Sequence, residues 1–157
     1  SAATFAAASE LVGCGIDVAS VHRKIYESVP LSDMVFLSQL LPTMKSALRG
    51  KVLWFSIPAS ALKKQSVALD LSEYLLGFAR SIKGVETVAV FKENLGVKNE
   101  IRINLRSQGR VDVNAVARMF GGGGHKAASG ATVRGKLLAV ERRVIRALRA
   151  AVEALEK

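Results

Sequence analysis

The chain has 157 residues, half of them apolar, and 23 Lys and Arg stand against 13 Asp and Glu, a formal net charge of +10. That length and apolar fraction exclude a disordered tail and suffice for one ordinary domain, or a small domain with a helical extension. The one cysteine, Cys14, excludes an intrachain disulfide framework and a thiolate zinc cluster, and the positive excess favours anionic partners, most simply nucleotides or nucleic acid.

Three helical patterns come first. Residues 4–12 place Phe5, Ala8, Leu11 and Val12 on one face, and Gly13 and Gly15 end the pattern. Asp17 caps a second helix carrying Val18, Val21, Ile25 and Tyr26, which Pro30 stops. Ser32 caps a third, carrying Val35, Phe36, Leu40, Met44 and Leu48, with a kink or break at Pro42 and an end at Gly50. The composition then changes. Lys51 to Pro58 reads as a strand, Leu71 to Ile82 as a helix ended by Gly84, and Glu86 to Lys92 as a second strand. Asn94 to Asn99 is a hairpin connection. Residues 101–106 alternate strictly, Ile101, Ile103 and Leu105 against Arg102, Asn104 and Arg106. Asp112 caps a short helix with Val113, Val116, Ala117 and Phe120; a glycine run and a short strand, Ala131 to Val133, come next. Lys136 to Glu156 reads as a long helix with the stripe Leu138, Ile145, Leu148, Val152 and Leu155.

The expected class is α/β: a mixed sheet of about four to five strands with flanking helices, preceded by a helical segment. The boundary is expected near Gly50, giving a helical segment over residues 1–50 and a compact domain over residues 51–157. Residues 1–50 alone would expose much apolar surface, as if packed against something else. The chain opens on Ser1 rather than Met, so it reads as processed or as a piece of something longer. It lacks the basic opening of a signal peptide and any run near the roughly 20 apolar residues of a membrane span, so a soluble, cytoplasmic protein is expected.

The most informative segment is Gly121-Gly122-Gly123-Gly124-His125-Lys126. Consecutive glycines cost backbone entropy on folding and need a reason. One reason is that several N–H groups cradle an anion, with His125 adding a donor and Lys126 a charge; a flexible turn with an exposed histidine is the plain alternative. Arg106 and Ser107 end the alternating strand and could take a phosphate through a guanidinium fork and a hydroxyl, or simply form a solvated face. Arg142, Arg146 and Arg149 form a ridge on the last helix, read as a solubilising face. No DxD, HExxH or CxxC occurs, and the four aspartates (Asp17, Asp33, Asp70, Asp112) each fall at or near a helix start. His22 has no neighbouring ligand pattern, and Cys14 reads as a small buried hydrophobe. No complete catalytic or metal centre is expected in this chain.

The residues Arg106-Ser107, Asp112-Val113-Asn114, Ala117, Phe120, Gly121 through His125 and Gly130 together resemble the C-terminal, DHH-associated domain of DHH-family phosphoesterases. Upstream, Ser81 to Glu86 with Val88 to Phe91, and Thr4 to Ala6 through Gly15 to Asp17, resemble the same family's helix-to-strand passage and the exit from its catalytic core. Among branches it is most similar to bacterial enzymes that degrade very short RNA and dephosphorylate 3′-phosphoadenosine 5′-phosphate. The resemblance implies that an N-terminal DHH domain of the same polypeptide holds two divalent metal ions, typically manganese. It implies that Arg106, Ser107, Gly121, Gly122, Gly123, Gly124 and His125 grip the phosphate or nucleotide of the substrate, while this chain alone hydrolyses nothing. The alternatives are a stand-alone nucleic-acid-binding module, like the related domain at the end of alanyl-tRNA synthetases, or the same family acting on cyclic dinucleotides or single-stranded DNA. The family pattern ends Ala-Ala-Gly where this chain has Ala128-Ser129-Gly130, and the backbone path is expected to survive.

Overall fold

The computed structural model describes residues 1–62 and 71–155. The chain divides into two compact units, Ser1–Met34 and Val35–Lys157. In the first, Ser1 caps helix α1 (Ala2–Gly13), its hydroxyl accepting the Thr4 N–H at 3.3 Å. Asp17 caps α2 (Val18–Tyr26), accepting the Ala19 N–H at 3.0 Å. Neither helix buries a residue: Phe5, Leu11, Val12, Val18, Val21 and Ile25 are all exposed. Cys14, expected inside, is exposed as well. No single helix among the described residues is long and apolar enough to cross a membrane.

Helix α3 (Leu31–Leu40) runs across the division. Ser32, expected as its cap, lies in its first turn, and the Pro30 carbonyl accepts the Asp33 and Met34 N–H groups instead. Pro42 breaks the pattern as anticipated, in a tight 3₁₀ turn over Leu41–Thr43. Beyond that turn the helix does not resume. Lys45–Ala47 is a strand, β1, antiparallel to β2 (Val52–Ile57) with Lys45 opposite Trp54. Leu48 and Arg49, at φ 51° and 56°, and Gly50, at φ 89°, turn the chain between them. Ladder hydrogen bonds to β2 outweigh the helical spacing of Met44 and Leu48. The expected boundary near Gly50 would cut this hairpin in two.

The rest of the sheet is β3 (Thr87–Glu93), β4 (Glu100–Ser107), β5 (Gly123–His125) and β6 (Ala128–Arg134). Among the described residues six strands lie in the order β1-β2-β3-β4-β6-β5, one or two more than expected because β1 and β5 are short. Among the described strands only β2 and β3 pair in parallel, and helices α4 (Ala59–Leu62) and α5 (Leu71–Arg80) fall in the crossover between them. Helix α6 (Val113–Arg118) comes after β4, and α7 (Leu137–Glu153) after β6.

Alternation sorts every strand residue to one of two faces. On one face Val52, Ala89, Phe91, Ile101, Ile103, Leu105 and Ala131 pack under α6 and α7, with Val113, Val116, Val140, Val144, Leu148 and Val152. Leu138 and Leu155, expected in the buried stripe of α7, are exposed. On the other face Leu53, Phe55, Ile57, Val88 and Val90 pack under α5 and the end of α3, with Leu71, Leu75, Leu76, Ala79, Phe36 and Leu40. Phe78 of α5 is exposed.

Candidate functional site

On the face under α5 and the end of α3, buried apolar packing is confined to β2 and β3, and α5 reaches β4 through the Glu73–Arg106 contact. Beyond β3 the register continues this face with Arg102, Asn104 and Arg106 of β4, then Thr132, Gly130 and Ala128 of β6. No buried apolar side chain stands on this half among the described residues. Two cross-strand rows organise it: Arg106, Ala128 and His125 are mutually opposite, as are Asn104, Gly130 and Gly123. Two interstrand steps separate β4 from β5, about 10 Å, with only small residues of β6 between. The result is a shallow trough with a guanidinium on one bank and an imidazole on the other. A hollow in it is lined by Arg102, Asn104, Gly121, Gly122, Gly130 and Thr132.

The glycines permit this surface rather than cradle an anion by themselves. Gly121, at φ +75°, ends α6, its N–H bonding the Arg118 carbonyl while the Gly122 N–H bonds that of Ala117. A Cβ on Gly122 would sit 2.1 Å from the Gly130 carbonyl oxygen, and one on Gly124 2.6 Å from that of Ala128. Gly122 and Gly124 are therefore glycines because β5 lies hard against β6. Gly123 has room, its nearest neighbour being Asn114 Oδ1 at 4.0 Å. The segment read as a loop is an edge strand, and the tip of its hairpin is tied down: the Ala127 carbonyl accepts the Ser107 N–H and the Lys126 carbonyl the Val113 N–H, both at 3.0 Å. Ser129 donates its hydroxyl to the His125 carbonyl at 2.7 Å and so braces the hairpin.

Arg106 and His125 thus come together on one row. Ser107 does not join them. Adjacent strand residues point to opposite faces, and the buried Ser107 hydroxyl donates to the Val111 carbonyl at 2.8 Å and accepts the Gly109 N–H at 3.2 Å. It shapes the turn after β4. Arg106 is already engaged as well. Its Nη2 contacts both carboxylate oxygens of Glu73, on α5, at 2.7 and 2.9 Å, and its Nη1 donates to the Leu105 carbonyl. Glu73 thus sets an acid at the Arg106 end of the trough. Asn104 and Thr132 were not singled out from sequence, and Arg102 only in passing. The signal was present for two of them, since Arg102 and Asn104 share the alternation that places Arg106.

The opposite face carries one buried charge. Glu141 of α7 accepts from Lys45 Nζ at 3.0 and 2.9 Å and from the Ser56 hydroxyl. Burial pushes its carboxyl upward, but the Ser56 hydroxyl, Lys45 and the nearby Trp54 indole together hold it below the usual carboxylate value. Among the described residues no group of three or more His, Cys, Asp or Glu is placed to hold a metal ion.

A family model described as the DHHA1 domain matches residues 60–157. The chain is 30% identical over 129 residues to a bifunctional oligoribonuclease and PAP phosphatase NrnA of Thermus thermophilus, covering 82% of this chain and 37% of that protein. It is 28% identical over 130 residues to the protein of the same name from Bacillus subtilis, covering 80% and 38%. Among solved structures it is similar to an exopolyphosphatase-related protein from Bacteroides fragilis, with TM-score 0.82, 26% identity, and coverage of 98% of this chain and 45% of that one. The chain therefore spans less than half the length of each of these relatives.

Proposed function

Since this chain belongs to the DHHA1 domain family, matched over more than half its length, we propose that it is the substrate-gripping portion of a phosphoesterase acting on short oligoribonucleotides and on 3′-phosphoadenosine 5′-phosphate. The observation that carries this reading is the bare half of the sheet. Arg106 and His125 face each other there across Ala128, with Arg102 and Asn104 alongside. A guanidinium fork and an imidazole on one row offer donors to a phosphate seated over the small residues of β6. Asn104 and Thr132 add neutral hydrogen-bonding groups suited to a sugar or base edge. Ser107 serves indirectly, by fixing the turn that anchors the hairpin tip.

Hydrolysis is assigned to an upstream DHH domain of the same polypeptide, which would hold the divalent metals. The exposed apolar residues of α1 and α2 support this over a stand-alone module, because such faces suit burial against a larger partner. The same relatives, both named as acting on oligoribonucleotides and PAP, favour short RNA over cyclic dinucleotides.

A titration of this chain with 3′-phosphoadenosine 5′-phosphate and with a dinucleotide RNA, followed by backbone amide shifts, tests the reading. Shifts should centre on β4, β5 and β6 around Arg106, His125 and Gly130. Saturable binding that moves only other elements would reject it.

A further inference from the structure

The arginine ridge of α7 lies outside that trough. Arg142, Arg146 and Arg149 are not a plain solvated face: with Trp54, Ile145 and Ala150 they line an open groove between α7 and β2. Trp54 is half-buried there rather than sealed in its strand. The acids that border the groove leave its charge largely uncancelled. Glu141 is spent on Lys45 and Ser56, and Glu153 reaches only Arg149, at 3.9 Å. Arg142 and Arg146 make no ion pair among the described residues. Like charges one helical turn apart repel, a small cost to α7 that a bound anion would remove. At about 1.5 Å rise per residue the three arginines extend over roughly 10 Å, a line suited to successive phosphates rather than to one. The adjacent indole offers a face on which a base can stack.

We propose that this groove is a second contact for single-stranded nucleic acid, taking phosphates on Arg142 and Arg146 and a base against Trp54. It lies on the sheet face opposite the trough, so a dinucleotide held by Arg106 and His125 leaves it empty and only a longer strand, or a second one, fills it. The groove keeps this role whether or not the trough is the substrate site.

Trp54 is the only tryptophan, so intrinsic fluorescence reads the groove directly. A decanucleotide RNA should change Trp54 emission saturably, whereas a dinucleotide should not. The double variant Arg142→Ala/Arg146→Ala, at two exposed positions where alanine favours helix, should bind the decanucleotide about tenfold more weakly at low salt, with a log–log salt slope shallower by about 1.4. Its dinucleotide titration at β4 and β5 should match the unaltered chain. Decanucleotide binding that leaves Trp54 emission unchanged would overturn the inference, and so would a double variant that binds like the parent. A groove that responds while the dinucleotide fails to bind anywhere would uphold it and reject the trough.

Discussion

One face of the sheet is built in two ways. Over β2 and β3 it presents Leu53, Phe55, Ile57, Val88 and Val90, and α5 with the end of α3 seals them. Over β4 and β6 the same face presents Arg102, Asn104, Arg106 and Thr132, and no buried apolar side chain joins them among the described residues. The alternation rule is identical in both halves. Only the chemistry of the outward set changes, and it changes at the β3–β4 boundary. The covered half buries apolar side chains on this face; the bare half presents polar ones and small residues. The sharpest tests therefore separate stability from binding across that boundary.

The largest effect is expected where the bare half is nevertheless tightly packed. Gly122→Ala drives a Cβ to within 2.1 Å of the Gly130 carbonyl and 2.6 Å of the Ala131 Cβ. Backbone must move, at a cost of about 3 kcal/mol, at or beyond the usual range for overpacking. Gly123→Ala, with open space around it, should stay within about 0.5 kcal/mol of the parent. Denaturant midpoints of the two variants decide the point: similar losses would mean that the glycine run is needed for its backbone angles rather than for close approach.

Next in size is Arg106→Ala. A charge-assisted hydrogen bond is worth about 2 kcal/mol, so affinity for 3′-phosphoadenosine 5′-phosphate should fall about thirtyfold. The melting midpoint should barely move, because Glu73 is exposed and the lost pair is a surface one. His125→Ala should weaken binding less, by about fivefold, as loss of one neutral hydrogen bond. Calorimetric titration beside a thermal melt reads both. A variant that loses stability but keeps its affinity would move Arg106 to the structural side of the boundary.

How much of this was legible beforehand depends on the physics of each element. The strand 101–106 could be read because its two faces differ chemically at every step. The caps Asp17 and Asp112 could be read because a carboxylate before an apolar helical pattern has one common use. β1 was illegible: three residues carry no period, and only pairing with β2 makes them a strand. The glycine run was legible as a constraint but not in kind, since a close approach to β6 and a cradle for an anion ask for the same residue. Ser107 was misplaced by reading neighbours in sequence as neighbours in space, although alternation alone puts Arg106 and Ser107 on opposite faces. Glu73 could not be linked to Arg106 at all, because the contact joins two elements and no local pattern announces it.

Glu141 on the α6–α7 face, by contrast, should respond to pH and not to a ligand held in the trough. Glu141 is held below its usual value of 4.5, so its contribution is fully present above that pH and is lost as pH falls through the lower folded-state value. Glu141→Gln should cost about 1 kcal/mol at neutral pH, on the scale of a buried hydrogen-bonded charge exposed at one side, and nothing once the parent carboxylate is protonated. Chemical denaturation across acidic pH should show the two curves converging. Parallel curves would mean that Lys45 and Ser56 stabilise the neutral side chain equally well.

The smallest effect tests the boundary itself, at the residue that spans it. Glu73 rises from the covering helix and occupies one terminal nitrogen of Arg106, while the Leu105 carbonyl holds the other. A phosphate arriving on β4 must therefore compete with a carboxylate already in place. If Glu73 is an internal stand-in for that phosphate, Glu73→Gln should tighten binding about threefold, a fraction of a kcal/mol that fits a half-exposed pair. If Glu73 instead holds Arg106 in the pose that meets phosphate, the same substitution should weaken binding, and Glu73→Asp should restore some of it. The sign of the change, measured beside Arg106→Ala, decides between them. A tighter Glu73→Gln would make the edge of α5 a competitor for the trough and not merely the wall where the covered half of the sheet ends.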